Sequence, residues 1–269
     1  MSVKIALFLD SLKVMWKFLY QLASPPTFYR LSGSVIPWLS FMAAFTLVLG
    51  VFWGLVYAPA DYQQGDAFRI IYVHVPSAFL SMTLYGWMGF LAILLLVWRI
   101  KIAGMLLHLI AQLGLSMTFL ALVTGSIWGK PMWGAWWVWD ARLTSMLILL
   151  FLYIGVIALY NAYESSATGA KAAAILAIVG VVNLPIIKYS VVWWNTLHQG
   201  ATFTLTAKPK MPAEMWLPLV LMILGFYTLF TLLTVLKTRT IILQRERRTQ
   251  WVRELVQTQA SGMESKNGL

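Results

Sequence analysis

The stretch LTSMLILLFLYIGVIALYNAY, residues 143–163, contains no acidic, basic or histidine residue in 21 consecutive positions. A helix rises about 1.5 Å per residue, so about 20 apolar residues cross the roughly 30 Å hydrocarbon core of a bilayer. Residues 143–163 are therefore predicted to form a membrane-spanning helix.

Five further stretches have the same apolar character: 35–57, 76–98, 104–127, 169–187 and 215–236. Apart from Lys171 near the start of the fifth span, none of them contains an acidic or basic residue. The chain as a whole is 60% apolar and 11% charged, with a mean hydropathy of +0.77. A soluble domain of 269 residues cannot bury so much apolar surface. We predict an all-α polytopic membrane protein with six transmembrane helices.

The basic residues are distributed by membrane side. The two terminal regions, the connection after the second span and Lys171 at the start of the fifth span together hold 14 of the 20 Lys and Arg residues. The positive-inside rule then places both termini in the cytoplasm. The net charge of +11 thus reflects membrane topology and does not indicate a nucleic-acid partner.

The sequence divides into three regions. Residues 1–30 are predicted to be a cytoplasmic or interfacial segment with an amphipathic helix on the membrane surface, and residues 31–240 a six-helix domain. Residues 241–269 are predicted to be a basic cytoplasmic tail, in which a helical extension is followed by a disordered end from about residue 261.

A run rich in tryptophan, WGKPMWGAWWVWD, occupies residues 128–140. It contains five of the fourteen tryptophans: Trp128, Trp133, Trp136, Trp137 and Trp139. Gly129, Pro131 and Gly134 predict a turning loop on the outer side of the membrane. A membrane-interface belt is the alternative, but belts usually scatter one or two rings per helix end. We predict that this tryptophan-rich run forms a platform for a flat apolar ligand.

Two of the three histidines lie in outer segments beside predicted span ends. His74 precedes the second span, and His198 follows the pair Trp193-Trp194. The chain has no cysteine, and two histidines without further partners make an incomplete zinc site. They do make a complete axial pair for haem, whose porphyrin supplies the other four ligands. Two interfacial histidines bonded to backbone are the alternative, and His108 is interpreted as an ordinary helix-end residue.

Haem also carries two propionates, which need cationic or N–H donors. Arg69 and Arg142 are the candidate partners, because a guanidinium group matches a carboxylate in a bidentate manner. Asp140 and Arg142 could instead pair with each other. Residues 125–131 lack the spacing and the Ser or Thr of a phosphate loop, so an ATP-driven step is expected to belong to a partner.

Three motifs together resemble a known family. The tryptophan-rich run, continued by Arg142-Leu-Thr, resembles the signature of the haem-handling protein superfamily. Within that superfamily, His74-Val-Pro and the motif WWNTLHQG at residues 193–200 are similar to the cytochrome c maturation protein C (CcmC) family. The resemblance covers residues 31–236.

This resemblance implies a bacterial inner-membrane protein that presents haem b at the periplasmic face. It implies that His74 and His198 are the axial ligands of the iron and that the tryptophan-rich run, including Asp140, holds the edge of the haem. It also implies delivery to the periplasmic chaperone CcmE and release by an ABC-type complex of CcmA, CcmB and the small CcmD. The protein is expected to deliver haem without being an enzyme itself. A haem-containing membrane electron carrier and a haem transporter remain as alternatives.

Overall fold

The fold is helical throughout the part of the chain that the computed structural model describes, residues 24–194, 196–198 and 211–267. Outside the helices, the described residues contain one isolated antiparallel bridge, between Asp61 and Gly65. The amphipathic helix is predicted over residues 1–24, and all of it except Ser24 lies outside the described residues, as do Asn195, Gln199 and Gly200 of the third motif.

Eight α-helices follow one another along the described chain. They are α1 (Pro25–Phe52), α2 (Ile71–Trp98), α3 (Lys101–Trp133), α4 (Ala141–Asn161), α5 (Ser166–Gly180), α6 (Asn183–Trp193), α7 (Ala213–Arg245) and α8 (Gln250–Asn267). A π-helical turn, Trp53–Tyr57, ends α1, and a 3-10 turn, Asp66–Ile70, precedes α2.

Six helical stretches are long and apolar enough to cross a membrane: Pro25–Tyr57, Asp66–Trp98, Ile102–Trp133, Ala141–Asn161, Ser166–Trp193 and Ala213–Arg245. The prediction of an all-α polytopic membrane protein with six spans is therefore confirmed. The helices begin and end at other residues than the predicted spans do, because they continue beyond the uncharged stretches from which those spans were predicted.

Two of these boundaries change the description of functional segments. His74 lies in the first turn of α2 and not in the connection before it. Residues 128–133 form the end of α3, so the turn predicted at Gly129 is wrong. The turn comes at Gly134, whose φ of 75° is left-handed and whose N–H donates to the carbonyl of Lys130 at 3.1 Å. Glycine adopts this conformation without steric cost.

The fifth span is two helices instead of one. α5 ends at Gly180 and α6 begins at Asn183. Pro185 has no N–H to offer the carbonyl of Val181, which accepts instead from Leu184 at 3.0 Å. The buried side chain of Asn183 then donates to the carbonyl of Ser145 on α4 at 2.9 Å.

The described residues form two compact units. One comprises residues up to Ser40 together with those from Thr231 onward. In it the guanidinium of Arg239 lies 3.6 Å from the ring centre of Tyr29 and donates to Ser32 Oγ at 2.9 Å. The C-terminal region continues as α8 to Asn267, so the prediction of a disordered end from residue 261 is wrong.

The second unit, Phe41–Phe230, is packed through small residues. Ala170, Ala173, Ala174, Ala177 and Gly180 on α5 are all buried, as expected for close helix contacts. Gly114 on α3 leaves space for the ring of Tyr153 on α4. The Tyr153 hydroxyl donates to the carbonyl of Ser81 on α2 at 2.7 Å, so one aromatic side chain joins three helices.

Replacing Gly114 by Ala should lower the thermal stability of the protein in detergent. The added Cβ would overlap the Tyr153 ring, and overpacking of this kind costs about 1–3 kcal/mol. Gly86→Ala is the matched control, because its Cβ would meet only Leu184 Cδ1 at 3.7 Å. Both changes gain about 1 kcal/mol of helix propensity. Equal melting temperatures for the two variants would contradict the packing described here.

Candidate functional site

A cavity of about 230 Å³ lies within the unit Phe41–Phe230. Six of the residues predicted to bind the ligand line it: His74, Trp128, Trp133, Trp137, Arg142 and His198. The rest of the wall is largely apolar and includes Val75, Phe79, Met82, Leu122 and Met146. The described part of the lining therefore combines two imidazoles, three indoles and one guanidinium in an apolar setting.

His74 is held in one orientation by α3. Its Nδ1 lies 3.0 Å from the carbonyl oxygen of Ala121 and 3.1 Å from Oγ1 of Thr124. A carbonyl oxygen only accepts, so Nδ1 carries the hydrogen. Thr124 donates its own hydroxyl hydrogen to the carbonyl of Leu120 at 2.7 Å. In neutral His74, Nε2 is then left with a lone pair, which is the arrangement of a metal-binding histidine.

Two neighbours fix the position of the His74 ring. A Cβ at Gly125 would lie 3.0 Å from His74 Cε1, so the ring uses the space that this glycine leaves. The ring of Trp128 meets it edge to face, with centres 5.6 Å apart. Trp128 is itself held by a bond from its Nε1 to Gln64 Oε1 at 2.9 Å. His74 is therefore held between α3 and an anchored indole.

His198 lies opposite His74. The two imidazole centres are 6.2 Å apart, and their planes are inclined by 35°. Two imidazoles that ligate one metal ion place their centres about 6 Å apart, from about 2 Å per metal–nitrogen bond plus about 1 Å from nitrogen to ring centre. Among residues 24–194, 196–198 and 211–267, no group of three or more His, Cys, Asp or Glu residues is arranged to bind a metal. The pair therefore suits a metal whose other ligands arrive with it.

The tryptophan-rich run has two faces. Trp133 and Trp137 line the cavity, and the ring centre of Trp133 is 6.3 Å from that of His198. Trp136 and Trp139 point away, with 57% and 75% of their surface exposed. The indole N–H of Trp137 is buried and has no hydrogen-bond acceptor among the described residues. Part of the run thus faces the cavity and part faces outward.

Asp140 and Arg142 have different roles at the start of α4. Asp140 caps the helix, because its Oδ1 accepts the N–H of Leu143 at 2.7 Å, and its Oδ2 accepts the hydroxyl of Thr196. The structure contains no ion pair between Asp140 and Arg142, although both are described. The alternative of a salt bridge between them is therefore not realised, and the guanidinium of Arg142 lines the cavity.

Arg69 lies outside the cavity lining. Its Nε donates to Asp66 Oδ1 at 2.9 Å, and its guanidinium also donates to the carbonyl of Gly54 at 2.7 Å. This arginine ties the 3-10 turn before α2 to the π-helical turn at the end of α1.

Three residues that contact the site were not predicted from the sequence: Gln64, Thr124 and Thr196. Two of them had a usable signal: Thr124 lies one helical turn before Trp128, and Thr196 belongs to the motif at residues 193–200.

Comparison with known proteins identifies the family. Residues 18–253 match the family described as heme exporter protein C, CcmC. Heme exporter protein C of Haemophilus influenzae is 52% identical over 244 residues, covering 91% of this chain and 99% of the relative. The Escherichia coli K12 protein of that name is 52% identical over 90% of this chain and 98% of its own length. The Bradyrhizobium diazoefficiens protein is 44% identical, and the match covers 91% of each chain. The chain therefore belongs to the CcmC family.

Proposed function

We propose that this protein binds haem b as a transient cargo through His74 and His198 and delivers it to the haem chaperone CcmE during c-type cytochrome biogenesis. The observation that carries the proposal is the 6.2 Å separation of two imidazole centres at the wall of an aromatic cavity. The relatives are named heme exporter proteins, and that name supports haem as the ligand.

The donor set fits haem iron. A haem needs two axial ligands from the protein, since its porphyrin occupies the other four positions. The bond from His74 Nδ1 to the Ala121 carbonyl leaves Nε2 as the nitrogen that would bind the iron. Both histidines are therefore proposed as axial ligands, on opposite faces of the macrocycle.

Other residues that line the cavity are suited to the porphyrin ring and the propionates of haem. The indoles of Trp128, Trp133 and Trp137 provide flat apolar surfaces for the porphyrin edge. Arg142 and the unpartnered N–H of Trp137 are donors for the propionates. Neither Asp nor Glu occurs among the cavity-lining residues that the structure describes, so the lining carries no like charge opposite the propionates.

Transient binding of haem agrees with the small volume of the cavity. Pockets that bury a drug-sized ligand occupy about 300–1,000 Å³, and this cavity is smaller. A haem bound there would keep part of its edge outside the described walls, within reach of a chaperone. A permanently buried electron-transfer haem would need a deeper site.

The other parts of the proposal come from the sequence and the family. The surplus of Lys and Arg in the terminal regions supports cytoplasmic termini and a site at the opposite, periplasmic face. The location in the inner membrane is proposed from the family. The protein is proposed to act without enzymatic activity of its own. CcmA, CcmB and CcmD are proposed as partners that release the loaded chaperone.

Replacing His74 or His198 by Ala should abolish the low-spin absorption spectrum of bis-histidine haem in the purified protein. Each change removes one axial ligand, and we expect haem affinity to fall by more than about tenfold. His108→Ala is the matched control, because His108 stacks on Tyr160 with centres 4.0 Å apart and does not line the cavity. An unchanged spectrum in both site variants would refute the ligand assignment.

Replacing Arg142 by Gln should weaken haemin binding by roughly ten- to a hundredfold. A charge-assisted hydrogen bond contributes about 1.5–3 kcal/mol, and Gln keeps most of the side-chain volume. Arg69→Gln is the comparison, since Arg69 is bonded to Asp66 and Gly54 and should leave haemin affinity unchanged. Titrations followed by absorption would measure both. The same affinity loss in the two variants would argue against a propionate role specific to Arg142.

Replacing Trp137 by Phe should lower the yield of haem-loaded chaperone without reducing the amount of protein in the membrane. Phe retains an aromatic ring but removes the buried N–H and part of the apolar surface. Trp136→Phe is the control, because Trp136 is 57% exposed and outside the cavity lining. Transfer to added apo-chaperone would be measured by haem staining. Retention of all the haem by the wild-type protein would instead favour a resident electron carrier.

A further inference from the structure

We infer that Thr196, fixed by Asp140, positions His198 for ligation; this rests on the proposed function, because it takes His198 as an axial ligand. The Thr196 hydroxyl donates to Asp140 Oδ2. The same oxygen accepts the backbone N–H of His198 at 3.1 Å. One side chain therefore connects a carboxylate at the start of α4 to the backbone of the histidine.

The segment that carries His198 needs such a tie. Residues 196–198 lie outside the helices, and Leu197 between them is 55% exposed. His74, in contrast, lies on a helix. If a flexible segment becomes ordered only when the ligand binds, it loses conformational entropy at that moment, and this loss weakens the binding. A segment ordered beforehand avoids that loss.

Asp140 is a suitable anchor because both its side chain and its backbone are held by hydrogen bonds. Its Oδ1 accepts the N–H of Leu143 at 2.7 Å, and its backbone carbonyl accepts the N–H of Thr144 at 3.0 Å. The carboxylate therefore belongs to the rigid first turn of α4. Arg142, two residues further along the same turn, lines the cavity. Asp140, which anchors His198, and Arg142, the proposed partner of the propionates, thus both lie at the start of α4.

This geometry gives Asp140 an indirect role. Both of its carboxylate oxygens are engaged by protein groups, and it does not line the cavity within the described residues. A carboxylate facing haem propionates would also repel them. Asp140 therefore acts on haem through Thr196 and His198, as a positioning residue.

The test compares Thr196→Val, which keeps the side-chain shape but removes the hydroxyl, with Thr196→Ser, which keeps the hydroxyl. Full-length protein in detergent is titrated with haemin and followed by absorption, with and without added imidazole. Hydrogen exchange of the haem-free protein reports the protection of the His198 amide. A thermal melt of each variant establishes that it is folded.

Thr196→Val should weaken haemin binding about tenfold and convert the low-spin spectrum to that of haem with one histidine ligand. Imidazole should restore the low-spin form, because it occupies the position that His198 leaves. The His198 amide should exchange at least tenfold faster, whereas Thr196→Ser should match the wild type in every measurement. Wild-type binding, spectrum and exchange in Thr196→Val would overturn the inference.

Two further comparisons separate this inference from the proposed function. Asp140→Ala should reproduce the spectral change, whereas Ser165→Ala, which removes the cap of α5, should not. If His198→Ala alters the spectrum and Thr196→Val does not, only the positioning role is wrong. If His198→Ala leaves the spectrum unchanged, the axial ligation fails, and the role of Thr196 fails with it.

Discussion

Backbone hydrogen bonding in the absence of water is the constraint from which the rest of this structure follows. In hydrocarbon every N–H and C=O group must be satisfied within the chain, so the six apolar stretches become helices. Within the residues that the structure describes, irregular backbone lies at helix ends, in connections between helices and at the break between α5 and α6. The π-helical turn Trp53–Tyr57, the turn at Gly134 and residues 196–198 are such places. Of these three segments, the last contributes Leu197 and His198 to the described lining of the cavity, and most of the other lining residues lie on α2, α3 and α4.

Close contact between helices then determines how the side chains meet. Gly125 on α3 allows the His74 ring to approach α3, where a backbone carbonyl and a hydroxyl fix its orientation. Gly114 likewise leaves room for Tyr153 between α3 and α4. Aromatic and imidazole rings occupy the space that the glycines provide. The geometry of the site is in this way a product of helix packing.

The sequence predicted the spans well because hydrocarbon thickness imposes a simple length rule on apolar residues. It predicted helix ends less well, since His74 and Trp128 are compatible with either a helix or a loop. The cavity residues among the predicted set were found from residue type: imidazole, indole and guanidinium have distinctive chemistry. The different roles of Arg69 and Arg142 could not be predicted, because they depend on Asp66 and Gly54 lying near one arginine and not the other. Thr196 was missed because its role depends on a partner 56 positions away in the chain.

The division of the fifth span makes α6 a short rod attached to α4 near both ends. Asn183 at its first residue bonds Ser145, and Thr196, three residues beyond its last, bonds Asp140. The chain from Asn183 to Thr196 is therefore held to α4 at both of its ends. Adding or removing a single residue would shift everything beyond it by about 1.5 Å and rotate it by about 100°. Natural variation in this region should consequently proceed by substitution at constant helix length, with insertions confined to the chain beyond His198.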